Sequence, residues 1–171
     1  MNLMDMLSSA GANQAIAGKF GLDQGQAQAV IGKLLPALGA GLKKNTAQPG
    51  GLESLTRALQ NGGHSRYLEK PAELSGMGAI QDGNAILGHI LGSKDVSRGV
   101  AAQAAEGTGV DVGVVKQMLP MLAAAVMGAM GQQRQTGGGD VTGLLGSFLD
   151  SDGDGSMADD LLGLAGKFLG R

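Results

Sequence analysis

Cysteine is absent from the 171-residue chain, which excludes disulfides, thiolate zinc sites and a cysteine nucleophile and fits a reducing compartment. Tryptophan is absent as well, and Phe20, Tyr67, Phe148 and Phe168 are the whole aromatic complement. A core must therefore come from Leu, Ile, Val, Met and Ala, a composition that favours helices over sheets. No basic stripe exists: Lys43-Lys44, Arg57, Arg66 and Lys70 are scattered and read as solvated helix ends, so nucleic acid is not an expected partner. The first ten residues carry Asp5 and lack both a basic region and an apolar stretch, so no secretory signal is read and the cytoplasm is the expected location.

Glycine, by contrast, is abundant: 32 residues, far above the usual ~7%. It follows no collagen period and lies mainly between helical patterns, where it serves as punctuation and allows close packing. An apolar content of 43% suffices for a core. The net charge of −2 hides an asymmetry, because residues 1–139 hold 11 basic and 9 acidic groups whereas residues 140–171 hold 2 and 6.

Apolar spacing predicts an all-α fold. Asp23 is placed to cap a helix in which Ala27, Val30, Ile31, Leu34, Leu35, Leu38 and Leu42 recur at helical intervals to about Lys43, and Gly21 closes the helix before it. Pro36 falls on the outer face of this helix, where it bends the chain around the core. The segment 114–122, capped by Asp111, echoes 30–38 around a second Leu-Pro pair, Leu119-Pro120, and reads as a diverged internal duplication. This second helix is apolar nearly all round from Val112 to Met130, so it is either central to a core or membrane-spanning. The core reading is favoured, because the run barely reaches the ~20 residues a bilayer requires and Lys116 sits near its start. Short helices are expected over Leu52–Gln60, stopped by Gly62-Gly63, over Ala85–Leu91, capped by Asn84, and from Ser93 through Glu106, ended by Gly107 and Gly109. The expected organisation is a body over residues 1–130, a glycine-rich flexible linker over 131–139 and an acidic helical hairpin over 140–171.

The run Asp82-Gly83-Asn84-Ala85-Ile86-Leu87-Gly88-His89-Ile90-Leu91-Gly92-Ser93-Lys94-Asp95-Val96-Ser97, followed by Leu119-Pro120 and a helix of small residues, resembles the bacterial domain of unknown function 937, allied to the YidB-like proteins. Gly62-Gly63-His64-Ser65 and the Leu35-Pro36 helix fit the same pattern, so the resemblance covers roughly residues 1–130. It implies an all-helical fold of short helices and carries over no established activity or catalytic residue.

Chemistry is signalled most clearly near the C-terminus. Counting Asp150 as position 1, Asp152, Asp154 and Gly155 occupy positions 3, 5 and 6 of a calcium-binding loop, with the Ser156 carbonyl at 7. Position 12 is Leu161 where a bidentate acid is required, so a contracted loop would have to use Asp160 and bind weakly. The alternative is a soluble acidic turn, with Asp159 and Asp160 favouring the positive end of the next helix. The flanks, 143–149 and 163–169, share the pattern G-L-x-G-x-F-L and present apolar stripes that include Leu144 and Phe148 on one side and Leu161 and Phe168 on the other. Two helices this short cannot bury both stripes alone. They must dock on the body, on another copy or on a partner protein.

The two histidines are expected to be structural. His64 reads as a cap for the carbonyls of the preceding helix, and His89 as a half-buried, hydrogen-bonded ring. Asp82, Asn84, Ser93 and Asp95 read as turn and cap residues. The expected function is thus a non-enzymatic interaction or self-association module, with calcium as a possible ligand. The alternatives are a weak calcium-binding protein or an enzyme that uses Asp82, His89 and Asp95.

Overall fold

The computed structural model describes residues 3–137 and Gly146. Helices α1 (Leu3–Ser9), α2 (Ala12–Phe20), α3 (Gln24–Thr46), α4 (Gly51–Asn61) and α5 (Arg66–Glu69) lead through a 3₁₀ turn (Pro71–Ser75) to α6 (Met77–Ile90), α7 (Lys94–Thr108) and α8 (Val112–Gly137). The fold is all-α, with no strand among the described residues.

Local chemistry sets most of these boundaries. Asp23 builds a full capping box: its carboxylate accepts the Gln26 N–H at 2.7 Å, and the Gln26 side chain accepts the Asp23 N–H. Ser93 caps α7 by accepting the Val96 N–H, and Gly109 closes that helix in the left-handed conformation. Asp111 accepts the Gly113 and Val114 N–H groups at the start of α8. Each of these satisfies amides that the first turn of a helix leaves without partners.

Every residue of α8 from Met118 to Gly131 is buried, and all the other described helices and the 3₁₀ turn touch it. By length and composition α8 could cross a bilayer, yet the other helices enclose it. Its Leu119, Met121, Leu122, Val126 and Met127 lie in the same apolar cluster as Leu7, Ile16, Ile31, Leu34 and Leu38. Each such side chain contributes ~1.5–3 kcal/mol on leaving water. Around the axis, α7 presents Ala101, Ala104 and Ala105, small enough to bring it close.

The segment around Asp82-Gly83-Asn84 departs from expectation. It is not a turn, and Asn84 caps nothing: α6 runs unbroken from Met77 through all three residues. Gly83 belongs to the buried face formed by Ala79, Ile86, Leu87 and Ile90. A Cβ there would overlap the Pro120 carbonyl and lie 2.7 Å from the Pro120 Cα. The glycine is a contact point between two helix backbones.

The helix α8 also continues past Met130, so Gln132–Gly137, expected as part of the linker, are helical. Gln135 Nε2 reaches Ser65 Oγ at 3.5 Å. Residues 138 and 139 and the expected hairpin lie outside the described residues, with Gly146 the one exception.

Candidate functional site

Two features of the body are built from converging residues: a polar clamp on one side of α6 and an apolar groove at its C-terminal end. The clamp starts from the loop after α4. Gly63 turns the chain with φ +56°, which places His64 and Ser65 over α8. Gly128 leaves room for them, since a Cβ on it would stand 2.7 Å from the His64 carbonyl oxygen. The short α5 then buries Tyr67 at 1% exposure. Its hydroxyl donates to Asp82 Oδ2 at 2.5 Å. Arg66 Nη2 donates to the same oxygen at 3.0 Å and to the Tyr67 hydroxyl at 2.9 Å, while its guanidinium lies 4.9 Å over the Tyr67 ring. Glu73 Oε2 stands 3.8 Å from Arg66 Nε.

Burial raises the Tyr67 hydroxyl above its ordinary value, and the hydrogen bond to Asp82 adds to the shift. His64 stacks on Tyr67 with centroids 6.2 Å apart. Its Nδ1 is buried without a hydrogen-bond partner and lies 3.8 Å from Asp82 Oδ2, too far for a bond. Burial lowers the His64 value, and the nearby Asp82 charge opposes that shift. Among the described residues no hydrogen bond runs from the ring to the carbonyls of α4, the cap expected from the sequence; its Nε2 edge packs against Gly62 at the end of that helix while its Nδ1 faces Asp82 of α6. The clamp ties α5 to α6 by charge-assisted bonds to one carboxylate oxygen.

The other residues singled out for catalysis stand elsewhere. His89 is exposed rather than half-buried; it is the backbone carbonyl of this residue that is bonded, accepting from Asn45 Nδ2 at 2.8 Å. Asp95, 90% exposed, pairs with Arg98 at 3.2 Å. Asp82 and His89 are separated by two turns of α6, about 10 Å of rise, and no hydrogen bond or ion pair joins any two of the three.

The groove lies where α3, α4 and α6 meet over α8. Leu42, Leu55, Ala58, Ile86, Ile90 and Met127 form its apolar lining, Asn45, Ser54 and His89 contribute polar groups, and it encloses about 340 Å³. The turn between α3 and α4 forms one end. Gly50 there holds φ +77°, and the Gly51 N–H closes the turn on the Gln48 carbonyl at 2.9 Å. Side chains larger than hydrogen at Gly41 would press on Ile90, 2.6 Å from its Cγ2, so α3 and α6 approach closely below the groove. A wider trough, lined in part by Lys94, Arg98 and Lys116, lies between α6, α7 and α8.

Among the described residues no group of three or more His, Cys, Asp or Glu side chains converges to hold a metal ion. The calcium loop of Asp150, Asp152, Asp154, Ser156 and Asp160, and the apolar stripes of Leu144, Phe148, Leu161 and Phe168, lie outside the described residues. Sequence reasoning missed the clamp because Arg66 reads as a solvated helix end and nothing local links Tyr67 to Asp82.

No curated protein and no solved structure matches the chain significantly. The family described as bacterial protein of unknown function (DUF937) matches residues 2–133, nearly the whole described body from α1 into the last turns of α8, and the chain belongs to that family.

Proposed function

We propose that the protein is a non-enzymatic interaction and self-association module, with residues 140–171 as its exchangeable element. One observation carries this reading: the body keeps an open apolar groove at the C-terminal end of α6, and the same chain continues beyond α8 into two apolar stripes that a pair of short helices cannot bury alone. The partner is a second copy or another protein presenting a similar apolar face. Changing Phe148 and Phe168 together to Ser tests this. The expected result is a lower mass by light scattering with helicity nearly unchanged. If the native chain is a monomer and the double variant behaves identically, exchange between copies is rejected.

The spacing of Asp150, Asp152, Asp154 and Gly155 favours a second reading, in which the loop binds calcium weakly, at about 10⁻⁴–10⁻³ M. The carboxylates repel one another unless a cation sits between them, and Asp160 completes the set with the Ser156 carbonyl. Magnesium should compete poorly, because its rigid octahedron suits a loose loop less well. Followed by NMR during calcium addition, the amides of Asp152–Ser156 should move well beyond those of Gln132–Gly137. Equal shifts in the two segments would leave only an acidic turn.

A further inference from the structure

We infer that the groove between α3, α4 and α6 is the docking site of residues 141–149 of the same chain, with Leu144 and Phe148 as its anchors. The inference rests on the module reading above and names the site within it. Leu144 and Phe148 are four positions apart, hence on one face if the segment is helical as its spacing predicts. A cavity of roughly 150 Å³ holds a benzene ring, so the 340 Å³ of the groove has room for the Phe148 ring and the Leu144 side chain together.

Reach selects the occupant. Met127 in the groove lies ten residues before Gly137 along α8, about 15 Å of helix. The four residues from Gly137 to Val141 span up to about 14 Å when extended, and three helical steps to Leu144 add about 4.5 Å, together enough to fold back to that point. The first stripe is tethered closer than the second, whose Leu161 lies 17 residues further on, and the shorter tether gives the higher local concentration.

Charge points the same way. Lys43 and Lys44 immediately precede Asn45 at the α3 end of the groove, exposed and without an ion pair among the described residues. Asp150, Asp152 and Asp154 directly follow the stripe, so a segment laid in the groove with Leu149 towards α3 carries its carboxylates to those ammonium groups. Residues 140–171 are acidic where the rest of the chain is slightly basic.

The lack of cysteine allows the test in the full chain. A nitroxide is attached at Ser54→Cys, on the exposed rim, and separately at Gln14→Cys, exposed on α2 at the opposite end of α3. The amide signals of Gly143–Leu149 should lose more than half their intensity with the label at position 54 and recover on its reduction, while the label at 14 leaves them unchanged. Adding Ala58→Glu to the first variant should restore them at least twofold.

A sample mixing isotope-labelled native chains with spin-labelled unlabelled ones separates docking within a chain from docking between chains. Broadening in the mixture as well overturns the intramolecular site but preserves exchange between copies. With no broadening in either sample, a light-scattering mass above the monomer rejects the groove while the module reading stands. A monomer under the same conditions rejects both the groove and exchange between copies.

Discussion

Pro36 in α3 lies on the solvent face of an amphipathic helix, whereas Pro120, at the same place in a similar Leu-Pro segment of α8, is buried with its backbone against Gly83. In α3 the carbonyl that loses its partner belongs to exposed Gly32 and can turn to water. In α8 the carbonyl that loses its partner, that of Lys116, also belongs to an exposed residue, but Pro120 itself lies inside the protein, where α6 meets its backbone with a residue that has no side chain. The two helices differ accordingly in role: α3 forms a wall with one apolar stripe, and α8 is an axis apolar on all sides. A shared local pattern thus says where a helix carries its proline, and the rest of its circumference says where it sits.

The largest effect expected from this contrast is at Gly83. Gly83→Ala sets a Cβ against the Pro120 backbone, which cannot swing aside as a side chain can, and should cost ~3 kcal/mol or more of unfolding free energy. Gly88→Ala, five residues on in the same helix, meets nothing within 4 Å and should be neutral or stabilising by ~0.5–1 kcal/mol. Urea midpoints at constant m value measure both. Equal costs at the two positions would break the account of α6 and α8 as backbones in contact.

The prolines themselves come next and should give opposite signs. Pro36→Ala restores a backbone donor on a solvent face and should stabilise by about 1–2 kcal/mol, part of the ~3 kcal/mol that an interior helical proline costs. Pro120→Ala removes ring atoms from a buried position and should destabilise by about 1 kcal/mol. Denaturant titrations of the two single variants decide the point, and matching signs would remove the distinction between wall and axis.

The smallest effect belongs to the loop that Gly128 of α8 admits. His64 has a folded-state value below its ordinary ~6.5 because burial disfavours the charged ring. The unfolded chain therefore takes up the proton first as pH falls, so the His64 contribution is full above about pH 6.5 and is lost as pH drops through the lower folded value. Stability measured between pH 7.5 and 5.5 should fall in the native chain and vary less in His64→Gln. A profile unchanged by the substitution would show that the ring titrates alike in both states.

Much of this architecture could be read from the residues. The cap at Asp23, the start of α7 at Ser93 and the central place of α8 follow from short-range rules, because caps and amphipathic stripes depend on neighbours within a turn or two. Asp82-Gly83-Asn84 misled because the same three residues suit a turn equally well. Counting Gly83 as a small core residue would have restored the helical spacing of Ala79, Gly83, Ile86, Leu87 and Ile90. The clamp was not legible at all. Tyr67 and Asp82 are 15 residues apart, and only the packing of α5 and α6 on α8 brings them together. His89 went astray for a related reason: its apolar neighbours face the core, but the ring lies one step round the helix from them, in water.

The order in which the chain leaves the ribosome gives the position of α8 a further meaning. The seven described helices that precede it touch one another in places, α3 meeting α2, α4, α6 and α7, but α8 is the helix that touches them all, and pieces as short as the 4 residues of α5 are marginal as isolated helices in water. Synthesis from the N-terminus therefore produces a long stretch of nascent peptide with many of its Leu and Ile side chains still exposed, and then, with the arrival of α8, the material to complete the core. A ribosome paused before Val112 would carry a chain with seven of the described helices and without the one that touches them all, a state open to general chaperones.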